Sequence, residues 1–176
     1  MRLYFQIALL FTCAIFFSNC DKYEPDYTNG RSAASMNGNL NWIAECFGRH
    51  SSHGLTAGMA FSVLNNQGQK RQALSFLNIP LELGDYRVFK SSANSSTAAG
   101  YWTRTSDGDV VEDRYLLQDD ALGNYISITD YDDESGILKG KFQIEFFIDP
   151  DEPKKNQDNP DVILFEEGDF EVTLED

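Results

Sequence analysis

Cys46, His50 and His53, spaced C-x3-H-x2-H, are the residues with the most chemistry to offer. Thiolate and imidazole are zinc ligands at about 2.0 to 2.3 Å, and a closed site wants four of them. The chain supplies three here, so an acid or a water would have to complete the set. Cys46 also falls in phase with Leu40, Trp42 and Ala44. That phase makes it a small buried hydrophobe rather than a ligand or nucleophile. The histidines then belong to a polar loop, 48–54, and no metal or other cofactor is expected.

Oxygen donors are more plentiful. Asp107, Asp109, Glu112 and Asp113 form one group, Asp130, Asp132, Asp133 and Glu134 a second, and Asp149, Asp151 and Glu152 a third. Calcium takes six to eight such oxygens, but none of the groups has the spaced acids, central glycine and closing glutamate of a calcium loop. They read as solvated turns. Pairs of carboxylates could also serve glycoside hydrolysis, yet among 28 acidic residues such pairs arise by chance. No Ser–His–Asp order, phosphate loop or dinucleotide fingerprint is present, so the chain is not read as an enzyme. Four aromatics, Tyr101, Trp102, Tyr125 and Tyr131, could form a sugar- or peptide-binding platform on one sheet. Core and cross-strand packing is the competing use of those rings.

The N-terminus carries an address. Arg2 precedes an apolar run over residues 3–17, broken by Gln6, Thr12 and Cys13. This is the charged and apolar pattern of a secretory leader, and it is short for a membrane span. The run ends Phe17-Ser18-Asn19-Cys20 and turns polar at Asp21. A cysteine at that boundary resembles the lipobox of bacterial lipoproteins, with Phe17 where leucine is usual and Asn19 where a small residue is usual. The resemblance implies cleavage of a signal peptide, residues 1–19, and acylation of Cys20 by diacylglyceryl and palmitate-type chains. One acyl chain binds a membrane marginally and several hold it durably, at about 0.8 kcal/mol per buried methylene. Asp21, Glu24 and Asp26 flank Lys22 in a cluster like the export signal of lipoproteins that reach the outer face of the outer membrane. Residues 20–35 therefore read as the lipidated cysteine and a polar, flexible tether.

The formal charge is −14, and removal of Arg2 with the leader makes the remainder more negative by one. Such a surface repels nucleic acid and anionic lipid headgroups. With Cys20 acylated and Cys13 in the leader, Cys46 has no disulfide partner.

The elements that must position these residues are strands. Over residues 138–148, Leu138, Gly140, Phe142, Ile144, Phe146 and Ile148 alternate with Lys139, Lys141, Gln143 and Glu145. Period-two alternation is the mark of a half-buried strand. A partner strand follows the acidic, proline-bearing loop 149–161. In it Phe170, Val172 and Leu174 share a face, and Gly168 stands where a bulge or tight bend is expected. Earlier, Asn37-Gly38 marks a turn and residues 40–47 a first strand. Met59, Phe61 and Val63 face Leu74 and Phe76 across a hairpin whose connection includes Gly68, and Pro80 ends the second arm. A short strand is expected at 87–90 and a loop at 91–99. A second hairpin joins 100–104 to 110–117 around Asp107-Gly108, with Trp102 opposite Asp113 and Tyr101 opposite Arg114 as an exposed cation–π pair. Residues 124–131 form another strand with Ile126 and Ile128 inward. No helix of ten or more residues is expected. About eight to ten short strands with turn signals give an all-β fold, an antiparallel β-sandwich or flattened β-barrel, as a single domain over 36–176.

Gly84 with Tyr86, Ile126-Ser127-Ile128-Thr129 with Asp132, Gly140-Lys141-Phe142 and Gly168-Asp169-Phe170 form a series. The series resembles a family of uncharacterised Bacteroidota lipoproteins, a domain of unknown function. The resemblance implies an all-β body and assigns no catalytic residue. The expectation is an outer-membrane, cell-envelope lipoprotein, facing the periplasm or the cell surface. Its partners would be the membrane, through the anchor, and an unidentified protein or glycan, with no nucleic acid. A lipocalin-like carrier of an apolar molecule is the alternative reading and a small hydrolase the third.

Overall fold

The computed structural model describes residues 29–90, 96–118 and 123–175, apart from the side chains of Leu40 and Asn41. The leader, Cys20, residues 21–28 of the expected tether and most of the expected loop at 91–99 lie outside the described residues. Ten strands run in chain order: β1 (Gly30–Met36), β2 (Asn39–His50), β3 (Thr56–Leu64), β4 (Lys70–Pro80), β5 (Gly84–Arg87), β6 (Ala98–Arg104), β7 (Val111–Leu117), β8 (Tyr125–Asp132), β9 (Ile137–Ile148) and β10 (Val162–Glu175). Among the described residues there is no helix. The all-β expectation holds.

The pairings close on themselves. β1 bonds to both β2 and β10, and the ring continues through β3, β4, β6, β7 and β9 back to β10. Eight strands therefore form a barrel wall. Every ladder between them is antiparallel except a two-residue parallel contact of β10 with β2, at Leu174–Gly48 and Glu175–Arg49. A closed ring removes the open strand edges that otherwise invite aggregation. An eight-stranded barrel is also just wide enough for side chains to fill.

Rings fill it. Phe165 lies 4.9 Å from Trp42 and 5.3 Å from Tyr101, centroid to centroid. Through these it joins two groups, Trp42–Phe61–Phe142–Phe76 and Tyr101–Tyr115–Phe146. The inward residues of β9 are those in the expected phase, Leu138 to Phe146, with Ile148 half-buried at the end. Trp42 satisfies its indole N–H inside by donating to Gln72 Oε1 at 2.9 Å.

Two glycines make room for rings across the β9–β10 ladder. Gly140 pairs with Phe170, and Gly168 pairs with Phe142. A Cβ on Gly140 would come within 2.5 Å of the Phe170 ring and 2.2 Å of the Ser127 carbonyl oxygen. A Cβ on Gly168 would lie 2.6 Å from the Phe142 ring. Each phenylalanine thus covers a glycine on the opposite strand. The expected bulge is present, but Gly168 is not its strained residue. Glu167 takes the positive φ, 51°, and the register steps by one extra residue between Phe165 and Gly168. That step shifts the inward phase from Ile163 and Phe165 to Gly168, Phe170, Val172 and Leu174.

Four expectations need correction. The tether is shorter than 20–35 because Gly30–Met36 is a strand of the wall. Its buried residues are Ser32, Ala34 and Ser35, too small to give an apolar signal, with Met36 half-buried against the core at its end. The short strand is Gly84–Arg87 rather than 87–90. It pairs with β8, and beyond it Phe89 bridges to Ala98 at the start of β6. β2 runs on to His50, so only His53 of the two histidines is in the turn. In the β6–β7 hairpin the expected register holds at the turn, where Arg104 faces Val111, but slips beyond it. An extra residue at Glu112–Asp113 puts Trp102 opposite Arg114 and Tyr101 opposite Tyr115, so Tyr101 meets no arginine and points inward.

β9 serves two neighbours on one edge. Residues up to Gln143 pair with β8, and Phe146 to Ile148 pair with β7. At the fork, the Glu145 amide donates to Asn124 Oδ1 at 2.8 Å, and its carbonyl accepts from Gln118 N at 3.0 Å. The buried backbone is satisfied where no ladder is available to it.

Gly140→Ala is expected to lower unfolding free energy by about 2–3 kcal/mol, because the backbone oxygen it meets cannot swing away. Gly58→Ala meets its nearest neighbours at 3.8 Å, and at an ordinary φ should stay within about 0.5 kcal/mol of the parent. Urea denaturation followed by tryptophan fluorescence separates the two.

Candidate functional site

The four aromatics are not one platform. Tyr101 is buried at 2 % exposure among the interior rings. Tyr125 is exposed on β8 between Gln143 and Arg87. Tyr131, half-buried, lines a wide open cleft of about 690 Å³ at one barrel end with Arg49, His50, Ser51, Ser52, Gly54 and Asp133. Its hydroxyl donates to Asp133 Oδ1 at 3.3 Å. Trp102 is half-buried and stands on the outer wall of β6.

Around Trp102 the barrel forms a second cleft, of about 430 Å³. Gly100, Trp102, Arg104, Val111, Arg114, Leu116 and Asp149 line it, with the edges of Tyr101 and Tyr115 behind. The register explains the grouping. Trp102 pairs with Arg114 on one side and with Ala73 on the other. Gln72 pairs with Thr103, so Arg71 stands beside Arg104 on the next rung, on the outer face because Gln72 points in. Three arginines thereby share the outer face with one indole, and Arg104 and Arg114 line the cleft beside it. Arg104 Nη1 donates to the Gly108 carbonyl at 2.8 Å, which fixes that end of the group. Arg114 Nη1 lies 3.6 Å from Glu152 Oε1 as a half-exposed ion pair. Trp102 Nε1, Arg71 Nε and Arg104 Nε are shielded from solvent and have no hydrogen-bond acceptor. A buried donor left without an acceptor costs about 1–3 kcal/mol.

Sequence reasoning missed the three arginines. Trp102 and Arg104 are two apart, which on a strand means one face. Arg71 and Arg114 join them only through cross-strand register, and the expected register was one residue off at Arg114.

Asp113 has a different role from the calcium ligand considered above. It is buried at 3 % exposure. Its carboxylate accepts from Lys155 N at 2.7 Å, Asn156 N at 3.3 Å and Asn159 Nδ2 at 2.6 Å. Asn156 Nδ2 also reaches Glu112 Oε2 at 3.1 Å, and Lys155 Nζ reaches the Val111 carbonyl at 3.0 Å. The acidic loop 149–161 is thus held to β7 by one buried charge with its lone pairs filled, the condition under which a buried carboxylate is tolerated. The other acidic groups cap their own turns. Asp132 accepts from Glu134 N and Ser135 Oγ, and Asp149 accepts from Asp151 N. Asp107 accepts from Thr105 Oγ1 and Asp109 N. The hydroxyl and amide donors hold Asp107 and Asp132 below the usual carboxylate range.

Cys46 is buried in the core, and desolvation pushes its thiol well above the usual range. His50 and His53 sit at the barrel end, and the three do not converge. Among the described residues no group of three or more His, Cys, Asp or Glu is placed to hold a metal ion.

No protein-family model, curated protein or solved structure matches this chain.

Asp113→Ala leaves the Lys155 and Asn156 amides without their acceptor, while Asn159 Nδ2 keeps Thr103 Oγ1 at 3.1 Å. It should cost about 3 kcal/mol and speed tryptic cleavage at Lys154 and Lys155; unfolding curves and limited proteolysis read the two effects. The Tyr115 phenol, pushed up to about 12 first by burial and then by Asp113, Asp161 and Glu112, supplies a pH test. A free tyrosine ionises near 10 in the unfolded chain. Between pH 10 and 12 the unfolded state therefore holds fewer protons than the fold, and stability should fall as pH rises through that window. Tyr115→Phe, which removes the donor to the Pro160 carbonyl, should flatten that fall in denaturation curves taken at pH 9 and pH 11.

Proposed function

We propose that this protein is a lipid-anchored envelope lipoprotein whose barrel is a non-catalytic binding module, engaging its ligand at the Trp102 cleft on the outer wall. The observation that carries the reading is the placement of binding chemistry. The interior is occupied by interlocking rings, Phe165 at their centre. The unpartnered donors stand on the outer wall around one indole. A carrier of an apolar molecule needs its space inside the barrel, and here the rings take that space. A hydrolase of the two-carboxylate kind needs two acids converging on a bond. The buried carboxylate among the described residues is Asp113, and loop amides fill it.

The anchor rests on the sequence at Asn19-Cys20-Asp21 and on the resemblance to envelope lipoproteins. Ten residue steps separate Cys20 from Gly30, where β1 begins. They reach at most about 36 Å, which keeps the barrel near the outer membrane. The four short segments that carry the resemblance are neighbours in space. Gly84 and Tyr86 of β5 pair with Ile128 and Ile126, Ile128 with Gly140, and Gly140 with Phe170.

Metabolic labelling with radioactive palmitate tests the anchor, and photo-crosslinking from the barrel surface in intact cells tests the module. Label should enter the wild-type protein, and Cys20→Ser should lose it and leave the membrane fraction. A crosslinker at position 116, in the cleft, should capture an envelope component that Trp102→Ala fails to capture. Unlabelled wild-type protein would overturn the anchor. Capture at the cleft indifferent to Trp102 would overturn the module.

A further inference from the structure

The Trp102 cleft has a chemistry more specific than general stickiness. The chain is acidic overall, with 28 acidic residues against 14 basic ones. Yet two of its arginines, Arg104 and Arg114, line one cleft with Trp102, and a third, Arg71, stands on the neighbouring strand. We propose that the cleft binds a small carboxylate-bearing saccharide, of the uronic acid type, with Trp102 under the sugar ring and the Arg104–Arg114 pair on the carboxylate. This rests on the reading of the cleft as a binding site and names its ligand class.

Three features point that way. An indole face suits the C–H face of a pyranose, while its N–H can donate to a ring substituent. A guanidinium offers a planar fork that matches a carboxylate in two parallel hydrogen bonds. Arg104 is held at Nη1 by the Gly108 carbonyl, while its Nε, on the other edge of the fork, has no acceptor. Carboxylate oxygens would supply acceptors to donors that now have none. Because those nitrogens are shielded from solvent, engagement requires the indole or a guanidinium to turn into the cleft, a rotamer change common on ligand binding. Asp149 in the lining and Glu152 beside Arg114 offset part of the positive charge. They favour a ligand with hydroxyl donors as well as its anion over a bare anion. At about 430 Å³ the cleft falls within the roughly 300–1,000 Å³ of small-ligand sites.

Titration of the purified full-length mature protein with digalacturonate, followed by tryptophan fluorescence and calorimetry, is the test. The same titration uses the methyl ester of that disaccharide, with its carboxylates masked, and inorganic phosphate. Digalacturonate is expected to bind at least tenfold more tightly than the ester or phosphate. Trp102→Ala and Arg104→Gln should each lose at least tenfold, and Arg49→Gln, at the other cleft, should change nothing. Arg114→Gln, at a half-exposed side chain, repeats the test if Arg104→Gln unfolds. Added salt should weaken binding, as screening of an exposed charge pair requires. Equal binding of the ester would overturn the carboxylate assignment and leave the cleft a neutral-sugar site. Equal binding of phosphate would overturn the saccharide. No binding of any probe would overturn the ligand class, with the cleft itself then judged by crosslinking from position 116.

Discussion

The contact on which this barrel depends is the exchange of glycine for phenylalanine across β9 and β10. Phe142 lies against Gly168 and Phe170 against Gly140, so each ring occupies the place of a missing side chain. Phe165, one bulge away, then reaches Trp42 on one side and Tyr101 on the other. Interiors are close-packed, and a ring displaced by one methyl group loses contacts on all its faces. The bulge at Glu167 serves the same end, since without its extra residue either Phe165 or Phe170 would face solvent.

Closure of the wall produces a second constraint, the supply of hydrogen bonds where strands part. β9 divides its edge between β7 and β8, and Asn124 with Gln118 bonds the residue at the division. The extra residue in β7 breaks the β6–β7 ladder near Thr103, and Asp113 turns its carboxylate beneath the 149–161 loop. In both places one buried polar side chain does the work of a missing strand. Such groups stabilise only while fully bonded, because an unpaired one is costly at low dielectric.

The outer wall at β6 and β7 inverts that economy. There Trp102 Nε1 and Arg104 Nε, with Arg71 Nε on neighbouring β4, have no acceptor, and among the described residues they are the buried side-chain donors left so. A ring-filled interior and unpartnered outer-wall donors are the two features on which the proposed recognition at the barrel surface rests. The acidic loop, fixed by Asp113, brings Asp149 and Glu152 to the margin of that surface. Fold stability and the shape of the cleft are therefore coupled through one loop.

The period-two phases of β9 and β10, the hairpin at Gly68, the inward Ile126 and Ile128 and the all-β class were legible along the chain, because alternation is a local property of a pleated strand. β1 was not, since Ser32 and Ala34 bury faces too small to register as apolar, although Asn37-Gly38 marks a turn that needs a strand on both sides. The expected anchor at Cys20 rests on the sequence alone, in residues outside those the structure describes. Register was beyond it. The extra residue at Glu112–Asp113 slips the pairing by one, takes Tyr101 inside and puts Arg114 beside Trp102. The reason is physical: a strand's own residues fix which way each side chain faces, but which residues become neighbours is set by bulges and closure, and those depend on every strand in the ring at once.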